Sequence, residues 1–318
     1  MKLRRAPLKT PTVPSASVPA WQRAMDTPSG TTWVDCSDTD LVNAGLAWLT
    51  RLAAWQPCET GPNTPTGQDG PARLPFQPLS FRDCMLYEQH WVQSSRGYAR
   101  RFLPGSYQIT RLVEKLTHQP FPAFRPHRLW RQQPIYYFGN HLTIVPSGTP
   151  VAPPDYTRAL DYELELGWVL SKPLFNATPA EAEAAIGAFV VVNDFSARDV
   201  QREEMRSGLG PQKSKHFLSS MSTTLVTADE ILPRVDRLQA HVELNGVVVS
   251  RTGTQGMRYT PGEVLAHLSR GEQLHAGELI ASGTLPGGCG METDHWLKKG
   301  DTLRLVIEPI GEIVHTIL

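Results

Sequence analysis

The run Asp161-Tyr162-Glu163-Leu164-Glu165-Leu166 constrains the fold more than any other stretch of the chain. It alternates acid and apolar residues, the signature of a strand. Residues two apart on a strand point to one face, so Glu163 and Glu165 are aimed together while Tyr162, Leu164 and Leu166 turn the other way. Two carboxylates so close repel, and each raises the other's pKa unless something cationic lies between them. Taken alone, a solvated acidic face satisfies the same pattern. The choice rests on what else the chain brings to that strand.

The surrounding signals are mostly of strand type. Residues 136–145, 162–170, 189–192, 278–281 and 302–307 read as strands, and Asn245-Gly246 between alternating segments predicts a hairpin. Capping boxes open helices at Thr178-Pro179-Ala180-Glu181 and Thr260-Pro261-Gly262-Glu263. Helical spacing also marks 38–55 and 80–92, and a helix is expected from about Ser196. No regular alternation of strand and helix appears. The predicted class is α+β, mainly β, a mixed roll rather than a doubly wound sheet.

Eleven of the 27 prolines fall in the first eighty residues, and 59–71 reads as loop. Residues 1–78 are therefore expected to form a draped arm or small irregular domain, with 79–318 as the main domain. Lys plus Arg and Asp plus Glu both number 31 in the 318 residues, which removes an electrostatic case for nucleic acid or anionic membrane as partner. No apolar run approaches the ~18 residues of a membrane span, and no apolar segment near the N-terminus reads as a secretory signal. Cys36, Cys58, Cys84 and Cys289 are widely spaced without a CxxC pair, so the expected compartment is the reducing cytoplasm.

Two further segments carry polar residues in suggestive places. In Asn193-Asp194-Phe195-Ser196-Ala197-Arg198-Asp199-Val200-Gln201 a buried strand ends in an acid and a helix follows. Arg198 and Gln201, three apart, share a helical face; a plain capping role for Asp194 or Ser196 fits as well. In Phe81-Arg82-Asp83-Cys84-Met85-Leu86-Tyr87-Glu88-Gln89-His90, a helix would bring Asp83 and His90 to one face after two turns.

Together these motifs resemble the fumarylacetoacetate hydrolase family over 82–318. The resemblance rests on R-D-x4-E-Q-H at 82–90, Y-F-G-N with S-G-T-P at 137–150, D-Y-E-L-E-L at 161–166 and N-D-F-S-A-R-D-x-Q at 193–201. G-P-x3-K at 210–215, A-S-G-T-x-P-G-G-C-G-M-E at 281–292 and G-D-T-L-R-L-V-I-E-P-I-G at 300–311 complete it. It implies a mixed β-sandwich roll and a divalent cation, Mg²⁺ first and Mn²⁺ or Ca²⁺ next, held by Asp83, Glu163, Glu165 and Asp194. Arg198, Gln201 and Lys215 correspond to the polar groups around the scissile carbonyl, with Lys213 a nearby alternative to Lys215. His90 and Glu292 correspond to the family's water-activating pair. Met85, Tyr137, Met205 and Thr284 fall at substrate-binding positions. Met85 and Met205 replace tyrosines of the mammalian-type enzymes, which implies a more apolar pocket wall.

The resemblance thus implies a homodimeric hydrolase that cleaves a carbon–carbon bond in a β-diketone or 2,4-dioxo acid. A decarboxylase or enol–keto tautomerase of oxaloacetate-like acids on the same metal site is the alternative, and a catalytically inactive metal-binding scaffold is the second.

Overall fold

A computed structural model of the chain describes residues 1–5, 21–27, 30–53 and 73–318. The chain opens with three strands, β1 (Lys2–Arg5), β2 (Trp21–Thr27) and β3 (Gly30–Cys36), and two short helices, α1 (Asp38–Asn43) and α2 (Ala47–Ala53). β4 (Phe81–Cys84) leads to the helices α3 (Glu88–Phe102) and α4 (Pro104–Thr117). Strands β5 (Tyr136–Gly139), β6 (Ile144–Pro146), β7 (Leu160–Asp161) and β8 (Glu163–Leu170) follow, then α5 (Pro179–Glu183), β9 (Ile186–Asn193), β10 (Ser196–Ala197) and α6 (Arg198–Arg206). The remainder comprises β11 (Ser219–Met221), β12 (Thr224–Thr227), α7 (Ala228–Ile231), β13 (Gln239–Leu244), β14 (Val247–Gly253), α8 (Pro261–Leu268), β15 (Leu279–Cys289), α9 (Gly290–Thr293), β16 (Thr302–Ile307) and β17 (Gly311–Thr316).

The fold is mixed α+β and mainly β, as the sequence predicts. The large sheet runs β3-β2-β1-β12-β9-β8-β15-β4-β5, with β11 and β6 branching from β9; a second sheet runs β14-β13-β16-β17. Period-two alternation decides which face of the large sheet each side chain serves. Leu164, Leu166 and Trp168 of β8 join Val191 of β9, Val242 of β13 and Leu305 of β16 in one buried cluster between the sheets. Val190 and Val192 of β9 and Leu279 of β15 belong to a second cluster on the opposite face.

That second cluster corrects the expected N-terminal arm. Leu3, Trp21, Leu41, Trp48 and Leu49 all belong to it and are buried. β1 extends the large sheet by pairing Leu3 with Leu225 of β12, and β2 and β3 add to it in turn. The segment is a structural lining of the sheet in its described parts. The helix expected over 38–55 is interrupted at Gly45, whose φ of +73° suits glycine; its last two residues, most of residues 1–25 and the loop expected over 59–71 lie outside the described residues. The helix expected over 80–92 is also corrected: 81–84 is strand and the helix begins at Glu88.

The other local signals agree. Both capping boxes form, at Thr178 and Thr260. Asn245 and Gly246 both take positive φ, 53° and 78°, in the turn joining β13 to β14. Among the described residues no helix is long and apolar enough to cross a membrane.

His315 on β17 ties the turn at 147–150 to the core. It is fully buried, with Nδ1 2.7 Å from the Thr149 carbonyl and Nε2 2.8 Å from Ser220 Oγ. Burial pushes its pKa down to about 4, so it folds as the neutral ring. The unfolded chain takes up this proton near pH 6.5, so the contribution of His315 to stability is constant above that value and falls between about 6.5 and 4, by up to roughly 3 kcal/mol. His315→Asn is expected to flatten that part of the Tm-against-pH curve relative to the parent protein; parallel curves would contradict the assignment. Trp21→Ala removes a fully buried ring from the lining and is expected to cost ~3–5 kcal/mol. Thermal unfolding at an unchanged temperature would show that the N-terminal strands do not support the sheet.

Candidate active site

The large sheet delivers the acids to one spot. β4 lies between β15 and β5, placing Asp83 beside Ala281 and Tyr137. β8 lies between β9 and β15, placing Glu165 opposite Val192 and Thr284, and Glu163 opposite Cys289. β9 then ends: the Asn193 side chain accepts the Glu163 N–H at 2.9 Å, and the Asp194 N–H donates to the Glu163 carbonyl at 3.2 Å. Asp194 is thereby folded back over Glu163. Oxygens of Asp83, Glu163 and Glu165 lie within 4.8 Å of one another. Asp194 stands beside this trio with both oxygens engaged, by Ser219 Oγ at 2.9 Å and Tyr137 OH at 2.5 Å.

Two cations answer part of this charge. Arg198 donates from Nε to Asp161 at 2.8 Å, from Nη2 to Glu163 at 2.6 Å and from Nη1 to Gln201 Oε1 at 3.0 Å. Lys215 Nζ pairs with Asp194 at 2.6 Å and with Glu163. Both cations are buried, and although burial opposes their charge, the acids hold their pKa values above the ordinary range. Burial likewise opposes the charge of Glu163, but Arg198, Lys215 and His90 prevail and keep it ionised well below the usual carboxylate range. Lys213, the sequence alternative, is exposed; Lys215 is the lysine that reaches the site.

Asp83 and Glu165 make no ion pair among the described residues. Asp83 Oδ1 and Glu165 Oε2 are buried without a hydrogen-bond partner. Burial raises both pKa values, and neighbouring acids raise them further: Asp194 for Asp83, and Asp83 and Glu163 for Glu165. Unpaired buried carboxylate oxygens are costly. An all-oxygen, anionic set of this kind fits a hard divalent cation, which would satisfy the orphaned atoms and offset the surplus charge.

Beside the acids lies the second expected pair. His90, in the first turn of α3, has Nδ1 2.6 Å from Glu292 Oε1 and Nε2 3.9 Å from Glu163 Oε1. Glu292 sits on α9, just beyond the irregular end of β15, where its other oxygen accepts the Gly287 N–H at 2.9 Å. Close backbone approach holds this corner together. A Cβ on Gly97 of α3 would fall 1.8 Å from the Met291 carbonyl oxygen, and one on Gly290 would fall 2.5 Å from Asp161 Oδ1. Thr284 is buried with Oγ1 3.4 Å from Glu165. Met85 is half-buried, and Met205, on α6, is 49% exposed.

Two contributors were not singled out from the sequence. Asp161 is fully buried and accepts from Arg198 and from the N–H groups of Gly290 and Met291, at 2.8 and 3.0 Å. Glu204 accepts the N–H groups of Gln212, Lys213 and Ser214 and so shapes the loop that presents Lys215. The signal for Asp161 was available, since it shares the odd parity of Glu163 and Glu165. Glu204 carried none.

Known proteins share this architecture. A mitochondrial oxaloacetate tautomerase of Homo sapiens is 30% identical over 158 residues, half of this chain and 71% of the relative. An oxaloacetate tautomerase of Bacillus subtilis is 29% identical over 188 residues, 58% of this chain and 62% of the relative. The fold is similar to that of fumarylpyruvate hydrolase from Pseudomonas aeruginosa, solved with Mn²⁺ and pyruvate: TM-score 0.57, 19% identity, 81% of this chain and 98% of that one. A putative HpcE protein from Mycobacterium smegmatis superposes with a TM-score of 0.59 at 22% identity, over 93% of this chain and 95% of that one. Residues 111–318 match the Fumarylacetoacetate (FAA) hydrolase C-terminal family, and the chain belongs to that family of enzymes.

Proposed function

We propose that the protein hydrolyses a carbon–carbon bond in a β-diketone, a 2,4-dioxo acid such as an acylpyruvate, at a divalent-cation site formed by Asp83, Glu163 and Glu165 with Asp194 beside them. The buried His90–Glu292 pair, whose free Nε2 faces the carboxylates, carries the reading. Mg²⁺ or Mn²⁺ suits the oxygen set. When bound there, the cation supplies Lewis-acid polarisation of the substrate's dicarbonyl and charge for a developing enolate.

The chain's own groups account for the proton movements. Glu292 fixes the tautomer of His90 with the proton on Nδ1, leaving the Nε2 lone pair as base. Nε2 takes a proton from water as the oxygen attacks the distal carbonyl. Arg198 holds the Gln201 carbonyl oxygen, so the Gln201 amide N–H groups remain as donors to the oxyanion, beside Lys215. Loss of one such donor costs roughly 3–4 kcal/mol in the barrier. When the tetrahedral adduct collapses, the carbon–carbon bond breaks and His90 returns its proton to the departing enolate carbon.

Interconversion of oxaloacetate keto and enol forms is the second reading, favoured by the names of the two relatives near 30% identity. It needs enolisation but no attacking water. With acylpyruvate and Mn²⁺, enol absorbance is expected to fall with release of one pyruvate per turnover. Glu292→Gln should lower kcat by ~100-fold or more while Mn²⁺ affinity holds, because Glu292 is outside the carboxylate trio. The double variant with His90→Ala should be little worse than His90→Ala alone. Rapid oxaloacetate tautomerisation that survives His90→Ala, with no acylpyruvate cleavage by the parent protein, would replace hydrolysis by the second reading.

A further inference from the structure

One buried nucleophile is unused by this chemistry. Cys289 ends β15 directly opposite Glu163, is fully buried, and its Sγ lies 3.5 Å from Glu292 Oε1. The same oxygen is 2.6 Å from His90 Nδ1, and the three ligand atoms lie within 4.8 Å of one another. This trio differs in kind from the carboxylate trio. It offers one nitrogen, one sulfur and one oxygen, the donor set of a borderline-soft ion, whereas Mg²⁺ prefers oxygen alone. Tetrahedral bonds of ~2.3 Å to sulfur and ~2.0 Å to nitrogen or oxygen set ligand atoms roughly 3.2–3.6 Å apart. The Sγ to Oε1 separation already meets that spacing, and the His90–Glu292 contact must open by about half an ångström.

We infer that His90, Cys289 and Glu292 form a second metal site, selective for a thiophilic divalent cation such as Zn²⁺ or Cd²⁺, whose occupation switches the enzyme off. The inhibitory half of this inference rests on the hydrolytic reading above; the binding half does not. On binding, the Cys289 thiol releases one proton to solvent and the thiolate joins the Glu292 carboxylate as an anionic ligand. His90 changes tautomer: the proton on Nδ1 passes to solvent, Nε2 takes one up, and the freed Nδ1 lone pair goes to the ion. The ring then presents an N–H, with no lone pair, toward the carboxylates and the attacking water.

The test uses the full chain with its carboxylate site saturated by Mg²⁺. Cd²⁺ titration is expected to raise an ultraviolet cadmium–thiolate band equivalent to one thiolate per chain, present in Cys36→Ser and lost in Cys289→Ser and Cys289→Ala. Glu165→Gln, which weakens the carboxylate site, should keep the band. Zn²⁺ inhibition of acylpyruvate cleavage, scaled to each variant's own uninhibited rate, should require at least ten times more Zn²⁺ in Cys289→Ser than in the parent protein. No band in the parent protein, or an undiminished band in both Cys289 variants, would overturn the site. A Cys289-dependent band with Zn²⁺ inhibition unchanged by Cys289→Ser would overturn the switch, and a band without any cleavage activity would count against the hydrolytic reading alone.

Discussion

Everything around the active site follows from one imbalance of buried charge. Asp83, Asp161, Glu163, Glu165 and Asp194 are all nearly inaccessible to water, and Arg198 and Lys215 are the cations paired with them. Those two cations spend their contacts on Asp161, Glu163 and Asp194. Asp83 and Glu165 are left to compete for protons or for a metal. A buried pair that loses one partner is strongly destabilised, by roughly 3–5 kcal/mol, so such an arrangement persists only when a rigid frame enforces it. Among these acids we propose that a divalent cation binds.

The frame is the large sheet with apolar cover on both faces. Strands β8 and β9 are buried along their whole length. On one side they pack toward the four-stranded sheet, and on the other their side chains share a cluster with Leu41, Trp48 and Leu49 of α1 and α2 and with Leu3 and Trp21 of the strands that extend the sheet. Glu163 and Glu165 can be fixed without solvent because the intervening Leu164 and Leu166 anchor the strand in the core. Around them, Gly97 allows α3 to approach α9 closely enough for His90 and Glu292 to meet, and Gly290 allows the start of α9 to lie against Asp161.

The sequence made the acidic strand, both capped helices, the Asn245-Gly246 hairpin and the end of β9 legible, because each is written in local alternation or turn chemistry. The motif resemblance named His90 and Glu292 together, though they lie 202 residues apart. Two misreadings share one cause. Residues 81–84 carry helix-like apolar spacing but pair with β15 and β5, and residues 2–5 look like part of a proline-rich arm but pair with β12. Strand pairing between distant segments overrides local propensity and leaves no local trace. Asp161 is different: its parity with Glu163 was visible, and only its burial under Gly290 and Met291 reveals why it matters.

The central claim is that Asp83 and Glu165 are under-compensated acids built to hold a divalent cation. Isothermal titration of Mn²⁺ into the chelator-treated protein tests it most directly, with Asp83→Asn and Glu165→Gln in parallel. The account predicts one Mn²⁺ per chain, affinity weakened by at least tenfold in either variant, and a Tm that Mn²⁺ raises in the parent protein far more than in the variants. Equal Mn²⁺ affinity and an equal rise in Tm in all three proteins would contradict it.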